Sequence, residues 1–181
     1  MILQPFRHRI QSRSIRALYG AIVAQARMPV FYADYQVPDT VQGRFDLIVL
    51  HLVLLLDRLG RNEGEGKTFG QRLFDEFCRD LDDNLREMGV GDLAVPKHMR
   101  RFGEAFYGRQ AAYRAALAVP NGRDFEEALA RNIFQAAGVD ARAARLARYV
   151  RTAMRELDGQ QEGALLCGEV VFPSPEAFAH A

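Results

Sequence analysis

Hydrophobic positions along this chain fall into a series of helical stripes, and one stretch is apolar on nearly every side. Residues Phe45 to Leu59 read FDLIVLHLVLLLDRL, broken by Asp46, His51 and Asp57. Length and leucine content predict a helix, and the apolar run falls short of the ~18 residues of a membrane span. A helix apolar almost all round needs other helices wrapped about it. Arg44, His51 and Arg58 recur at every seventh residue, which keeps them within about 20° per heptad of one line along the helix. That line is either the salt-bridged side of a core helix or the polar wall of a groove that takes up something apolar.

The other stripes flank this centre. Ile15, Leu18, Tyr19, Ile22, Val23 and Ala26 predict a first helix, with Arg9, Arg13 and Arg16 on another face. The proline-bounded segment from Pro29 to Thr40 carries Phe31, Tyr32 and Tyr35. It reads as irregular: a lid over the core or an adaptable binding lip, with Asp39 or Thr40 capping the next helix. From Thr68 to Met88, three-four spacing of Phe69, Leu73, Phe74, Phe77, Leu81 and Leu85 marks a core stripe. Its far side holds Glu76, Asp80, Asp83 and Glu87, expected to form a structural charge network (Asp80, Asp83, Arg86, Glu87) that pairs with Lys97, Arg100 and Arg101. Gly89 should end that helix. The next runs from Lys97 to about Ala118 on Met99, Phe102, Phe106, Tyr113 and Leu117; Tyr107 and Arg109 fall off the stripe and are available for a surface. Residues 124–136 and 141–157 complete the set, the latter with Arg142, Arg145, Arg148, Arg151 and Arg155. The pattern predicts an all-α fold: a single compact bundle of about six helices over 1–160, with an irregular aromatic loop after the first. A short, extended tail, 161–181, should pack on that domain and fray at its end.

Composition narrows the function classes. The chain has 181 residues, 49% hydrophobic and 26% charged, with a formal net charge of +1. That is ordinary for one globular domain and argues against a dedicated nucleic-acid binder. Cys78 and Cys167, far apart, read as buried thiols in a reducing compartment. No acidic residue occurs from Met1 to Pro29, whereas Arg7, Arg9, Arg13, Arg16 and Arg27 do. A mitochondrial presequence shares that composition, but the regular stripe favours a permanent first helix. Each of these arginines would add only ~1 kcal/mol at an anionic surface, so any peripheral membrane contact through this helix would be reversible.

Candidate chemistry is sparse. Gly66-Lys67-Thr68 resembles the end of a phosphate loop, but the glycine required five positions earlier is Arg61, and a helix, not a strand, leads in. A di-iron bundle needs Glu-x-x-His pairs, and none of His8, His51, His98 or His180 has a Glu three residues before it. His51, alone among leucines, suits a hydrogen-bonded core residue. No serine stands in a G-x-S-x-G context. The expectation is a binding protein, not an enzyme, with no cofactor and no metal.

A long ordered series of residues then carries a resemblance. Asp39-Thr40, Arg44-Phe45, His51, Arg58-Leu59, Gly66-Lys67, Phe74-Asp75, Phe77, Asp80, Asp82-Asp83 and the run Leu85 to Asp92 are spaced as in the ubiquinol–cytochrome c chaperone family. Val95-Pro96-Lys97, Met99 and Phe106-Tyr107-Gly108-Arg109 extend the match. The chain resembles an α-proteobacterial member. The resemblance implies an all-helical assembly factor that binds newly made cytochrome b and helps it enter the cytochrome bc complex. Mitochondrial members also associate with ribosomes through a small partner protein. It further implies a cytoplasmic location, peripheral at the inner membrane, or the mitochondrial matrix in a eukaryote. A client of this kind calls for an apolar groove with a charged rim. The candidate apolar contacts are Phe31, Tyr35, Met99, Phe106 and Tyr107; the candidate rim is Arg44, His51, Arg58, Lys97, Arg100 and Arg109. Two other classes stay open: a quinone-like small-molecule binder or enzyme with an enclosed apolar pocket, and a lipid- or RNA-associated adaptor using the first helix.

Overall fold

The computed structural model describes residues 4–61, 64–119, 123–138 and 140–179, with side chains from Gln11 to Phe178. Its helices are α1 (Gln4–Ala26), α2 (Val30–Ala33), α3 (Val41–Leu59), α4 (Glu65–Glu87), α5 (Val95–Leu117), α6 (Asp124–Ile133), α7 (Ala141–Gly159), α8 (Glu162–Leu166) and α9 (Glu176–Ala179). The described residues include no strand. The fold is all-helical, as the stripes predict.

The central helix α3 starts where Thr40 caps it, its hydroxyl accepting from the Gly43 amide at 3.1 Å. Gly43 is a steric requirement: a Cβ there would lie 2.0 Å from the Pro38 carbonyl oxygen. Leu47, Leu50, Leu52 and Leu55 are wholly buried, enclosed chiefly by α1, α4, α6 and α7. At the end of α4, Gly89 takes φ +83°, and the amides of Val90 and Gly89 reach the carbonyls of Leu85 and Arg86 at 3.0 and 2.9 Å. This is the Schellman arrangement that glycine makes accessible.

The long helices keep their expected places, with ends moved by a few residues; α6 stops at Ile133, and Gln135 turns the chain at φ +52°. The aromatic segment is not irregular throughout, because Val30 to Ala33 form a helical turn with Val30 and Phe31 buried. Nor is the tail simply extended, since α8 and α9 lie within it. Its extended part, 169–174, crosses the bundle: Tyr35 donates its hydroxyl to the Pro175 carbonyl (2.8 Å) and Gln25 its amide to the Pro173 carbonyl (3.0 Å). The expected fraying concerns the end of the tail, whose last residues, 180 and 181, lie outside the described residues.

Two expectations are corrected. Cys167 falls on the turn after α8 and is exposed, while Cys78 is half-buried. The acidic face of α4 does not meet Lys97, Arg100 and Arg101, because α1 packs beside α4. Glu76 pairs with Arg16 (3.6 Å) and Arg79, and Asp80 accepts the Tyr19 hydroxyl at 2.7 Å. Arg86 reaches Asp82 (2.6 Å) and Asp92. Asp83 and Glu87 are exposed. Among the described residues no helix is long and apolar enough to cross a membrane.

Candidate functional site

Helix α5 packs mainly on α4 and α6, and it reaches α3 through the Phe45–Phe102 ring contact and two ion pairs. Arg109 meets Asp46 at 2.6 Å, with Asp46 almost fully buried and also accepting from Gln42 at 2.9 Å. Burial raises the Asp46 pKa, against the pull of Arg109. Further along, Arg114 meets Asp57 at 2.7 Å across a more open gap. Beside these pairs an open trench lies along α5.

The trench has two open hollows. One, of about 440 Å³, lies between α3, α4 and α5, with Leu56, Gly70, Phe74, Phe106 and Tyr107 in its wall. The other, of about 370 Å³, lies between α3, α5 and α7, with Val53, Leu54, Tyr113, Leu117 and Met154. From Phe106 to Ala118 the shared α5 wall runs about 18 Å at the usual helical rise. Its aromatic surface is the outer end of a ladder: Phe45 to Phe102 (5.5 Å between centroids), Phe102 to Phe106 (5.9 Å), Phe106 to Phe74 (4.7 Å) and Phe74 to Tyr107 (5.8 Å). Phe106 is buried beneath it, and Tyr107 stands out at 56% exposure. Lys67, Arg61 and Asp57 complete the charged lining with Arg114. Burial pushes the Tyr113 hydroxyl up to about 12, so it stays protonated.

Of the expected apolar contacts, then, Phe106 and Tyr107 come together at the trench. Phe31 and Tyr35 do not. Both are fully buried in a second aromatic centre with Tyr149, at 5.0 Å and 6.3 Å between centroids, so they are core beneath the tail and offer no surface. Met99 is half-buried near the α4–α5 turn, outside the trench.

The expected rim scatters as well. His51 is fully buried and faces no groove. Its Nδ1 lies 2.8 Å from the Leu47 carbonyl, which can only accept, so Nδ1 carries the proton; Nε2 then accepts from the Tyr149 hydroxyl at 2.8 Å. Gln25 donates to that hydroxyl at 2.9 Å. Burial drives the His51 pKa down to about 4, which keeps the ring neutral. Arg58 donates to the carbonyls of Leu157 (3.0 Å) and Gln160 (2.7 Å), tying α3 to the end of α7. Arg44 pairs with Asp39 at 2.6 Å and lies over the Tyr32 ring. Lys97 and Arg100 are exposed at the start of α5, the first some 15 Å of helix from Tyr107. Arg109 holds α5 to α3 from inside.

Sequence reasoning missed Arg114, Phe74, Leu56 and Met154. A signal existed for Arg114: it stands seven residues after Tyr107 and so continues the off-stripe line on α5. Among the described residues no three His, Cys, Asp or Glu side chains gather where they could hold a metal ion. The arrangement suits binding of an apolar chain segment, with charges at its margin.

Known proteins match along most of the chain. A crystal structure, that of the Cbp3 homolog from Brucella abortus, superposes with a TM-score of 0.88 at 36% identity, covering 98% of this chain and 99% of that one. The Xenopus laevis ubiquinol-cytochrome-c reductase complex assembly factor 1 is 27% identical over 157 residues, 86% of this chain and 78% of that protein. The Mus musculus protein of the same description is 28% identical over 155 residues; this chain spans about half its length, 52%, in that match. The signature described as ubiquinol-cytochrome C chaperone matches residues 33–172, more than half of the sequence. The chain belongs to the ubiquinol-cytochrome C chaperone family.

Proposed function

We propose that this protein is an assembly factor for ubiquinol–cytochrome c reductase that binds unassembled cytochrome b, laying an apolar segment of that client in the α3–α5 trench. Family membership and the relatives' descriptions support the assembly role. The observation that carries the site is an aromatic ladder ending at the surface, in an open trench, with Tyr107 more than half exposed.

A membrane subunit made before its partners presents apolar helix to water. A chaperone for it has to cover that surface and later release it, which favours moderate area, aromatic anchors and a polar margin. Phe74 and Tyr107 supply the anchors; Lys67 and Arg61 supply the margin. A quinone-like ligand would call instead for an enclosed cavity with converging polar groups, and both hollows open to solvent. The protein's part is to shelter and deliver a chain segment; no step of this reading breaks or forms a covalent bond.

The test is site-specific photocrosslinking in cells making cytochrome b. A photoreactive residue at position 107 should capture cytochrome b, and one at exposed Arg148 on α7 should not. Tyr107→Ala should lower recovery of cytochrome b with the chaperone by about tenfold, the scale of one aromatic anchor. Capture of cytochrome b from position 148 and not from 107 would refute the trench as the site.

A further inference from the structure

The trench has a feature that apolar capture alone does not require: an ion pair stands across its middle. Arg114 lines both hollows, and its contact with Asp57 at 2.7 Å marks the boundary between them. Any helix long enough to fill the ~18 Å trench must cross that point, since 18 Å is about twelve residues of helix. We infer that the bound segment is an apolar helix carrying one acidic side chain, whose carboxylate takes the place of Asp57 on the Arg114 guanidinium. The inference rests on the trench being the client site.

Three observations support it. Arg114 presents a half-exposed guanidinium to both hollows and shares Asp57 with Arg61, so a carboxylate on the ligand complements it. The pair is also exchangeable. Arg114 is 51% exposed and Asp57 24%, and such water-accessible pairs are held by little net free energy. The Asp46–Arg109 pair, 4% and 20% exposed on the same two helices, is locked inside and structural by contrast. Finally, Asp57 is not stranded when Arg114 leaves it. Its other oxygen lies 3.7 Å from Arg61, which in turn reaches Asp158 at 2.9 Å.

The exchange also explains selectivity. An apolar helix that covers Arg114 removes water from the guanidinium, and a desolvated cation without a partner is costly. A planar guanidinium grips a carboxylate with two parallel hydrogen bonds, so a glutamate or aspartate in the segment restores what water supplied. A segment of equal hydrophobicity without that carboxylate has to fit around the intact Asp57–Arg114 pair. The trench would thus pick one kind of apolar helix from many, which hydrophobic area alone cannot do.

The test uses the full chain and two fluorescent synthetic helical peptides of about sixteen residues. They share one apolar sequence and differ only in a central Glu or Gln. Anisotropy titration should show the Glu peptide binding the wild-type protein about tenfold more tightly than the Gln peptide. In Arg114→Gln that preference should fall to within about twofold, while Asp57→Asn, which removes the internal competitor, should strengthen binding of the Glu peptide. Unfolding midpoints of both variants establish that each is folded, and Arg114→Lys, which keeps the charge without the fork, should restore only part of the preference. Equal binding of the two peptides to the wild type would overturn the inference and leave the trench standing. A Glu preference that survives in Arg114→Gln would also overturn it. Binding of neither peptide, with Tyr107→Ala unchanged in capture, would bring down the trench reading itself.

Discussion

The protein contains two aromatic clusters of similar make-up and opposite fate. Around His51, the rings of Phe31, Tyr35 and Tyr149 are gathered under the C-terminal tail, which adds Phe172, and every polar tip has a partner. Between α4 and α5, Phe102, Phe106, Phe74 and Tyr107 form a ladder whose last rung stands in solvent. Ring content does not separate them; what the chain places over them does. Residues 172–178 return across the first cluster, and Gln160 clamps the crossing segment by accepting from the Val171 amide at 3.0 Å and donating to its carbonyl at 2.7 Å. Over the second, nothing among the described residues covers the ladder's edge, where Tyr107 stays exposed. Closed aromatics hold the fold; open ones are left free of the tail's cover and available for contact.

The largest expected effect breaks the sealed cluster. Phe31 is fully buried and touches Tyr35, His51 and Tyr149. Phe31→Ala should cost ~3–5 kcal/mol, the range for truncating a buried phenylalanine. Urea unfolding measures it. A loss below about 1 kcal/mol would show that the tail does not seal the cluster and that Phe31 belongs to a surface.

Acid should open the same cluster next. The folded-state pKa of His51, about 4, lies below the ordinary value near 6.5, and the cause is complete burial. The unfolded chain therefore binds a proton that the folded one refuses. Stability from this group is complete above pH 6.5 and is lost as pH falls from 6.5 towards 4, by roughly 3 kcal/mol in all. Asp46, whose pKa is raised by burial, works in the opposite direction in that range, because its folded form takes up a proton more readily. Unfolding free energies at pH 7 and pH 5, in wild type and in His51→Gln, isolate the histidine: the variant should lose most of the decline. An equal decline in both would assign the acid sensitivity elsewhere.

Much of this contrast was legible in the sequence, and its gaps have physical causes. Helices α1 and α3 to α7 run 10 to 23 residues, long enough to display a 3.6-residue period. Thr40 and Gly89 announced a start and a stop through their own chemistry. Helices α2, α8 and α9 have four or five residues and show no period. The fate of Phe31 and Tyr35 was illegible for another reason. Tyr35 is sealed by the Pro175 carbonyl, 140 positions along the chain, and local pattern carries no information about so distant a cover. Arg44, His51 and Arg58 do share one line along α3, about 10 Å apart at each step. The neighbours change over that distance, from solvent to core to the end of α7, so one stripe has three environments. Tyr107 was legible because it leaves the stripe of α5; Arg114 was there to be found on the same line.

The smallest expected effect sharpens the comparison within a single helix. Phe106 and Tyr107 are adjacent, and their rings lie 5.6 Å apart, yet exposure is 1% for the first and 56% for the second. Burial assigns Phe106 to the fold. Tyr107 contributes mainly its ring contacts with Phe106 and Phe74, worth about 1 kcal/mol together at a half-exposed site. Tyr107→Ala should therefore shift the urea midpoint by that amount or less and leave the denaturant slope unchanged, since little surface is added to unfolding. A destabilisation of ~3 kcal/mol or more, the scale expected for Phe106, would mean that the ladder closes over Tyr107 in solution and that the trench is core. With stability nearly intact, any loss of cytochrome b capture belongs to the surface Tyr107 presents.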